Sequence, residues 1–466
     1  MDDETSAGAT TVDDLRSAVT GTVVAADDDG YEDARHVWNG MIEKKPLAVV
    51  RVTDEDDVAA AIDYARDRDL PLAVRGGGHG VAGYGTVDRG IVIDLGGLNR
   101  VEVQPERRTV RVAGGAVLAD VDRATVPHGL AVPLGVISRT GVGGLTLGGG
   151  VGWLTRAHGL TADNLLEAEV LTASGERVRA SESENPELLW GLRGGGGNFG
   201  VVTAFTFRAH PLPPVPYGVN LVYAEPHWRS ALADWEEWTR DLPDAMQSIA
   251  SFLVPPPALE AGDEPLLFLA SAWADPEDRG TGERLVDELR RHAPPDAEEV
   301  EGDWLTWQSA VDVGFPKGSR GYWKNTSFER LDEEVVDVIL RRAAEQRWVG
   351  TGIDIHHMGG AFARVPEDAT PFPARSARFW LNVYGFWQDP ADDAARTAFV
   401  KGFAADMAPF ATGGQYVNFL GYEQDADWRA AAVTVYGQEK LDRLVALKRR
   451  YDPENLFRLN HNISPG

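Results

Sequence analysis

Residues 75–80 read Arg-Gly-Gly-Gly-His-Gly, three consecutive glycines that deliver the chain to a histidine. Two more glycine-rich stretches follow within the first 200 residues, at 141–152 and 194–200. Glycine offers backbone N–H groups with no side chain in the way, so three such turns together suit a large ligand whose diphosphate lies across several loops. Two windows, Gly78–Gly83 and Gly195–Gly200, match the G-x-G-x-x-G spacing of dinucleotide folds. That spacing has meaning only between a strand and a helix N-terminus, where the helix end holds the pyrophosphate. The first window runs into YGTVDRG, which has no helical pattern, and the second follows a helix and precedes a strand. A nicotinamide site is therefore rejected, and no G-x-x-x-x-G-K-[ST] stretch occurs. The chain has no cysteine, which removes disulfides, thiolate zinc sites, iron–sulfur clusters and thiol nucleophiles. His356 and His357 are adjacent, but without carboxylates at ligand spacing no metal site is expected.

These residues must be held by the elements around them. PLAVVRV and LPLAVRGGGHG are short β-branched runs, hence strands, and TDEDDVAAAIDYARDRD between them is a helix. Thr53 is its expected N-cap, with acids in the first turn where the helix dipole favours them. GIVIDL and RTVRVAGG give further strands, and LLEAEVLTASGERVRAS reads as a hairpin turning at Ser174-Gly175. The proline cluster HPLPPVPYG at 210–218 marks a boundary. Beyond it tryptophan and acidic residues increase, and long helical patterns alternate with strands such as SIASFLVP and LLFLASAWA. This order fits a discontinuous first domain with a central insertion.

RGGGHG with GIVIDL, GVGGLTLGGGVGWLTRAHGLTADNLL, GGGGNFGVVT and the C-terminal YDPENLFRLNHNI, in this order, resemble the FAD-binding oxidoreductases of the vanillyl-alcohol-oxidase superfamily, in their berberine-bridge-enzyme-like branch. The likeness covers nearly the whole chain. It implies an α+β fold: a two-lobed FAD-binding domain of the vanillyl-alcohol-oxidase type, with an inserted α+β substrate domain whose antiparallel sheet is flanked by helices. The expected division is an FAD-binding domain over 1–212, a substrate-binding domain over 213–414, and a segment over 415–466 that completes the FAD-binding domain. The histidine of RGGGH is commonly bonded to the flavin 8α carbon in this branch, which carries onto His79. Many members add a second bond through a cysteine in G-x-C-P-x-x-G. Here Ile137 stands at that place, within Gly135-Val136-Ile137-Ser138-Arg139-Thr140-Gly141, so one bond only is expected. By the same resemblance Arg75, Gly76, Gly77, Gly78, Gly80 and Gly83 line the diphosphate. Gly135, Thr140, Gly141, Gly144 and Gly149 pass along the flavin and ribityl chain. Asn198, Gly200 and Val202 cover the adenine side, and Asn460 and Asn462 approach the ring.

The activity implied is oxidation of a CH–OH or CH–NH group in a small molecule, a carbohydrate or a secondary-metabolite alcohol, with hydride passing to flavin N5 and O₂ or another acceptor reoxidising it. A side chain must take the hydroxyl proton from within about 3 Å. Many relatives use the tyrosine that ends Y-x-N-Y, but the sequence here is Tyr416-Val417-Asn418-Phe419. Relatives with a glutamate base carry it on the strand matching FWLNVYGFW, where Trp380 stands. Alternate residues of a strand share a face, so Trp380, Asn382 and Tyr384 point one way. Tyr384 and Tyr416 remain as candidate catalytic bases. The alternative is a catalytically silent FAD-binding module.

Bulk composition limits the partners. A 43% hydrophobic fraction and 14 tryptophans exclude a disordered chain. The net charge is −27, from 72 acidic against 45 basic residues, of which only 7 are lysine. An acidic, lysine-poor surface is expected of a halophilic protein, where counterions screen self-repulsion. The same charge opposes nucleic acid and anionic membranes as partners. MDDETSAGATTVDDLRSAVTG has no basic region and no apolar core, so no signal peptide is expected, and a cytoplasmic protein follows as the default.

Overall fold

The computed structural model describes residues 12–213, 217–255, 262–301, 303–423 and 428–466. Most of the stretch read for a signal peptide, and residues 214–216 of the proline cluster, lie outside them. After a short helix over Asp13–Ala18, the first sheet has four strands, β1 (Thr22–Ala25), β2 (Ala48–Arg51), β3 (Leu72–Arg75) and β4 (Ile91–Asp94), in the order β1-β2-β4-β3. Parallel pairing of β2, β4 and β3 needs a crossover, and the helix Glu55–Asp67 supplies it. Its N-cap is Asp54, one residue later than expected, because the Asp54 carboxylate accepts from the Asp57 amide. Thr53 serves differently, giving its N–H and hydroxyl to Asp57.

A second sheet holds β5 (Val101–Gln104), β6 (Thr109–Ala113), β8 (Leu165–Leu171), β9 (Arg177–Ser181) and β10 (Val201–Arg208) in the order β5-β6-β10-β8-β9. A two-residue pair, β7 (Leu130–Ala131) with β11 (His210–Pro211), closes beside it. β8 and β9 form the expected hairpin. The glycine stretch at 141–152 is not a turn throughout: Val142–Gly148 is a helix. Glycine is a poor helix former, but here tertiary contact prevails. A β-carbon on Gly148 would overlap the Asn418 amide, and one on Gly143 would press on the Gly114 carbonyl.

The third sheet has seven antiparallel strands: β12 (Tyr217–Tyr223), β13 (Met246–Leu253), β14 (Leu266–Trp273), β15 (Ala297–Glu301), β16 (Arg320–Phe328), β17 (Gly352–His357) and β18 (Phe379–Trp387), ordered β15-β12-β14-β13-β17-β18-β16. One face buries Ile353, Ile355, Leu381 and Val383 against helices Trp228–Trp238, Arg279–His292, Glu333–Glu345 and Asp393–Met407. Strand periodicity sends the alternate residues, Asp354, His356, Asn382 and Tyr384, to the other face. After this sheet the chain returns to the second one: Leu441, Leu444 and Leu447 of helix Gln438–Tyr451 pack into its core. The fully buried Lys448 ammonium then donates to Asp452 Oδ2 (2.7 Å) and to the Asn198 and Phe457 carbonyls (2.9 Å each). That buried pair ties the C-terminal segment to the third glycine stretch.

Candidate functional site

At Arg75 the chain leaves β3 and becomes the Gly76–Gly80 loop. The Arg75 guanidinium folds beneath the loop and donates to Asp94 Oδ2 at 2.8 Å, on the neighbouring strand. The loop lies directly on the second glycine stretch: a β-carbon on Gly77 would stand 2.5 Å from the Gly141 nitrogen, and one on Gly141 would overlap Gly77. Gly80, Gly144 and Gly197 differ. Nothing stands within 4 Å of where their β-carbons would be, so side chains there would fill the space between the stretches. That space is a cavity of about 330 Å³.

Of the residues expected at a cofactor, Arg75, Gly76, Gly77, Gly78, His79, Gly80, Gly135, Thr140, Gly141, Gly144, Gly200, Val202 and Asn460 line this cavity, and Tyr384 and Tyr416 join them. Gly83, Gly149, Asn198 and Asn462 do not. The open side of Gly83 is packed on Ile42 and that of Gly149 on Phe372. Asn198 is a fully buried strut: its Nδ2 donates to the Gly195 and His461 carbonyls and its Oδ1 accepts from Ile463 N. Asn462 follows His461, which lines the cavity in its place.

His79 stands where the loop meets the inserted sheet. Its ring is stacked on Trp38, centroids 5.0 Å apart and planes 27° from parallel. Nε2 is buried without a hydrogen-bond partner. Burial lowers the imidazole to about 4, partly opposed by Asp312, so the ring is neutral at ordinary pH. A buried unpartnered ring nitrogen and a glycine bed with room above it fit a flat dinucleotide cofactor.

The wall opposite the glycines is the face of β16, β17 and β18. Pairing sets Asp354 opposite Asn382, and Gly352 and Trp323 opposite Tyr384. A β-carbon on Gly352 would overlap the Tyr384 phenol, so glycine there lets the phenol lie across β17. The Tyr384 hydroxyl donates to Asp354 Oδ1 at 3.4 Å. Burial pushes Asp354 up to about 6, against hydrogen bonds from Ser251 and Tyr384 that pull it down. Burial, then the Asp354 charge, hold the Tyr384 phenol well above its ordinary value. Tyr416 differs: its hydroxyl accepts from Gly150 N at 3.1 Å and Asn418 Nδ2 at 2.9 Å, while burial pushes it up to about 12. Trp380 shares the strand face but packs on Phe372 and Tyr416, outside the lining. His356 lines the cavity, whereas His357 turns away to Arg156 Nη1 at 3.3 Å, so the two imidazoles do not act together.

Sequence reasoning passed over Asp354, Trp38 and His461. Asp354 had one available signal, its alternation with His356 in the run GIDIHH.

Residues 46–181 match the family model "FAD binding domain" and residues 415–464 match "Berberine and berberine like". The chain is 30% identical to FAD-linked oxidoreductase OXR1 of Pyricularia oryzae, over 93% of this chain and 87% of that protein. It superposes on crystalline 6-hydroxy-D-nicotine oxidase from Arthrobacter nicotinovorans with TM-score 0.85 and 25% identity, covering 98% of this chain and 100% of that one. With a glucooligosaccharide oxidase from Acremonium strictum, described as carrying 6-S-cysteinyl, 8α-N1-histidyl FAD, it shares the fold at TM-score 0.84 and 22% identity, covering 98% of this chain and 99% of that one.

Proposed function

The chain belongs to the FAD-linked oxidoreductases, and from that premise we propose that it oxidises a compact hydroxylated small molecule, with its flavin held by a single covalent bond to His79. The enzyme acts on CH–OH or CH–NH groups. FAD, when bound, supplies N5 as the hydride acceptor, with O₂ or another acceptor taking the electrons onward. The observation that carries the reading is one cavity with two walls: a glycine bed ending in neutral His79, and a sheet face bearing the Tyr384–Asp354 pair.

The chain's own residues divide the work. Gly80, Gly144 and Gly197 leave the bed free for the cofactor. Tyr384 takes the substrate's hydroxyl proton as its own passes to Asp354 Oδ1. A buried carboxylate at about 6 is ionised at neutral pH yet basic enough to accept it. Tyr416, an acceptor of two N–H groups, holds the Gly150 backbone and is a strut in this scheme. The aromatic lining, Phe315, Trp323 and Phe419, favours a secondary-metabolite alcohol over a carbohydrate, whose many hydroxyls would each cost about 1–3 kcal/mol if buried unpaired. Asn382 Oδ1, His356 Nδ1 and Trp323 Nε1, buried without partners, are the groups available to orient it.

In this reading residues 1–212 and 415–466 bind FAD and 213–414 bind substrate. The acidic, lysine-poor composition supports a halophilic source. No helix among the described residues is long and apolar enough to cross a membrane.

The test combines two measurements. Acid-denatured protein should keep flavin fluorescence on a gel, and His79→Ala should lose it while still binding FAD. Alcohols added anaerobically should bleach the flavin. A flavin released by acid overturns the linkage, and a flavin that no substrate in a broad panel reduces overturns the activity in favour of a silent binding module.

A further inference from the structure

The histidine's stacking partner is part of an unusual strap. Trp38, Asn39 and Gly40 run between the His79 loop and the inserted sheet and bond to both. Trp38 N donates to the Gly78 carbonyl at 2.9 Å, and Gly318 N donates to the Trp38 carbonyl at 2.9 Å. Asn39 Nδ2 donates to the Val81 carbonyl (2.7 Å) and the Gly321 carbonyl (2.9 Å), while its Oδ1 accepts from Gly321 N. Gly40 N donates to Ser319 O at 2.8 Å. The indole is fixed at several points: Nε1 donates to the Phe315 carbonyl at 3.1 Å, and the ring meets Phe386 edge-on at 5.1 Å and Trp323 at 6.2 Å. Trp38 is 4% exposed. Its remaining face carries the His79 imidazole.

A histidine that follows three glycines has a loose backbone, and the Nε2 of this one is buried with no hydrogen bond to hold that side of the ring. Bond formation at the 8α carbon requires a ring nitrogen aimed at that carbon, and small errors of aim are costly in rate. We propose that Trp38 is a positioning residue for flavin attachment: its clamped indole face sets the plane of the His79 imidazole and so presents a ring nitrogen to the 8α carbon. The proposal rests on the His79 linkage above. In the net step one C–H bond of the 8α methyl and the imidazole N–H are broken and one C–N bond forms. The two electrons and two protons released reduce dioxygen to hydrogen peroxide. Trp38 exchanges nothing in this step.

The experiment compares Trp38→Leu and Trp38→Phe with the parent, mixing each apoprotein with FAD under air. Total bound FAD is read by absorbance, and acid-stable FAD is followed over time. Trp38→Leu should bind FAD yet attach it about 10-fold or more slowly. Trp38→Phe keeps a flat face but loses the N–H bond, and should restore most of the rate. Leucine attaching at the parental rate overturns the proposal. So does a folded phenylalanine variant as slow as leucine, or acid-stable FAD that falls only in proportion to total FAD. If the parent itself attaches no flavin, the His79 linkage fails and the proposal fails with it.

Discussion

Replacing Asp354 by Asn should separate two properties that the carboxylate joins. The group ionises near 3.8 in an unfolded chain and near 6 in the fold, because burial disfavours the charge. Between those values the folded protein holds the extra proton, so stability falls as pH rises from about 4 to about 6, and the loss is complete above that. At about 1.36 kcal/mol per pH unit the ionised carboxylate costs the fold about 3 kcal/mol. Asparagine has no charge to bury. Asp354→Asn should therefore melt higher than the parent at pH ~8, with the gain vanishing near pH ~4. Catalysis should move the other way. Without a carboxylate to receive the Tyr384 proton, anaerobic flavin reduction should slow by about 10²–10³-fold. The parent's kcat/KM should fall as pH drops below about 6, where the carboxyl protonates, and this limb should be missing from the residual activity of the variant. The assay is stopped-flow flavin reduction across pH beside melting curves at the two pH values. Reduction within about 3-fold of the parent, with the acid limb intact, would refute the proton path.

The two tyrosines should respond differently. Tyr384→Phe should cost about 100-fold or more in flavin reduction with FAD content unchanged. Tyr416→Phe should keep the acid limb and instead lower the melting temperature, since two N–H groups lose an acceptor, worth about 1–3 kcal/mol. Gly144→Val should fold normally but bind FAD about 10-fold or more weakly, because the new side chain occupies cofactor space; full FAD content would place the ligand elsewhere. Molar salt should raise the melting temperature of a chain with net charge −27, and equal melting at low and high salt would count against the halophilic reading.

What the sequence disclosed was what neighbouring residues carry among themselves. Gly76 to Gly80 with His79 announce a cradle because glycine's freedom and histidine's chemistry are local signals, and all line the cavity. Asn198, assigned to the adenine side by resemblance, lies off the cavity lining; besides Gly195 its side chain bonds His461 and Ile463, more than 260 residues away. Local logic gave equal standing to Tyr384 and Tyr416. Only the tertiary hydrogen bonds distinguish a phenol that donates to a carboxylate from one that accepts from Gly150 and Asn418. Asp354 comes to Tyr384 through the antiparallel register of β17 with β18, which no short window contains. Trp38 reaches His79 because a strap returns to the loop, again a matter of topology.

The two-sided strands carry a lesson for anyone wishing to alter what the enzyme accepts. Along β17 and β18 the even-numbered 354, 356, 382 and 384 look into the cavity, while the odd-numbered Ile353, Ile355, Leu381 and Val383 are mortared into the helical layer behind. A mutant library restricted by parity can thus recolour the inner wall without loosening the masonry, and His356 and Asn382 are the bricks to exchange first.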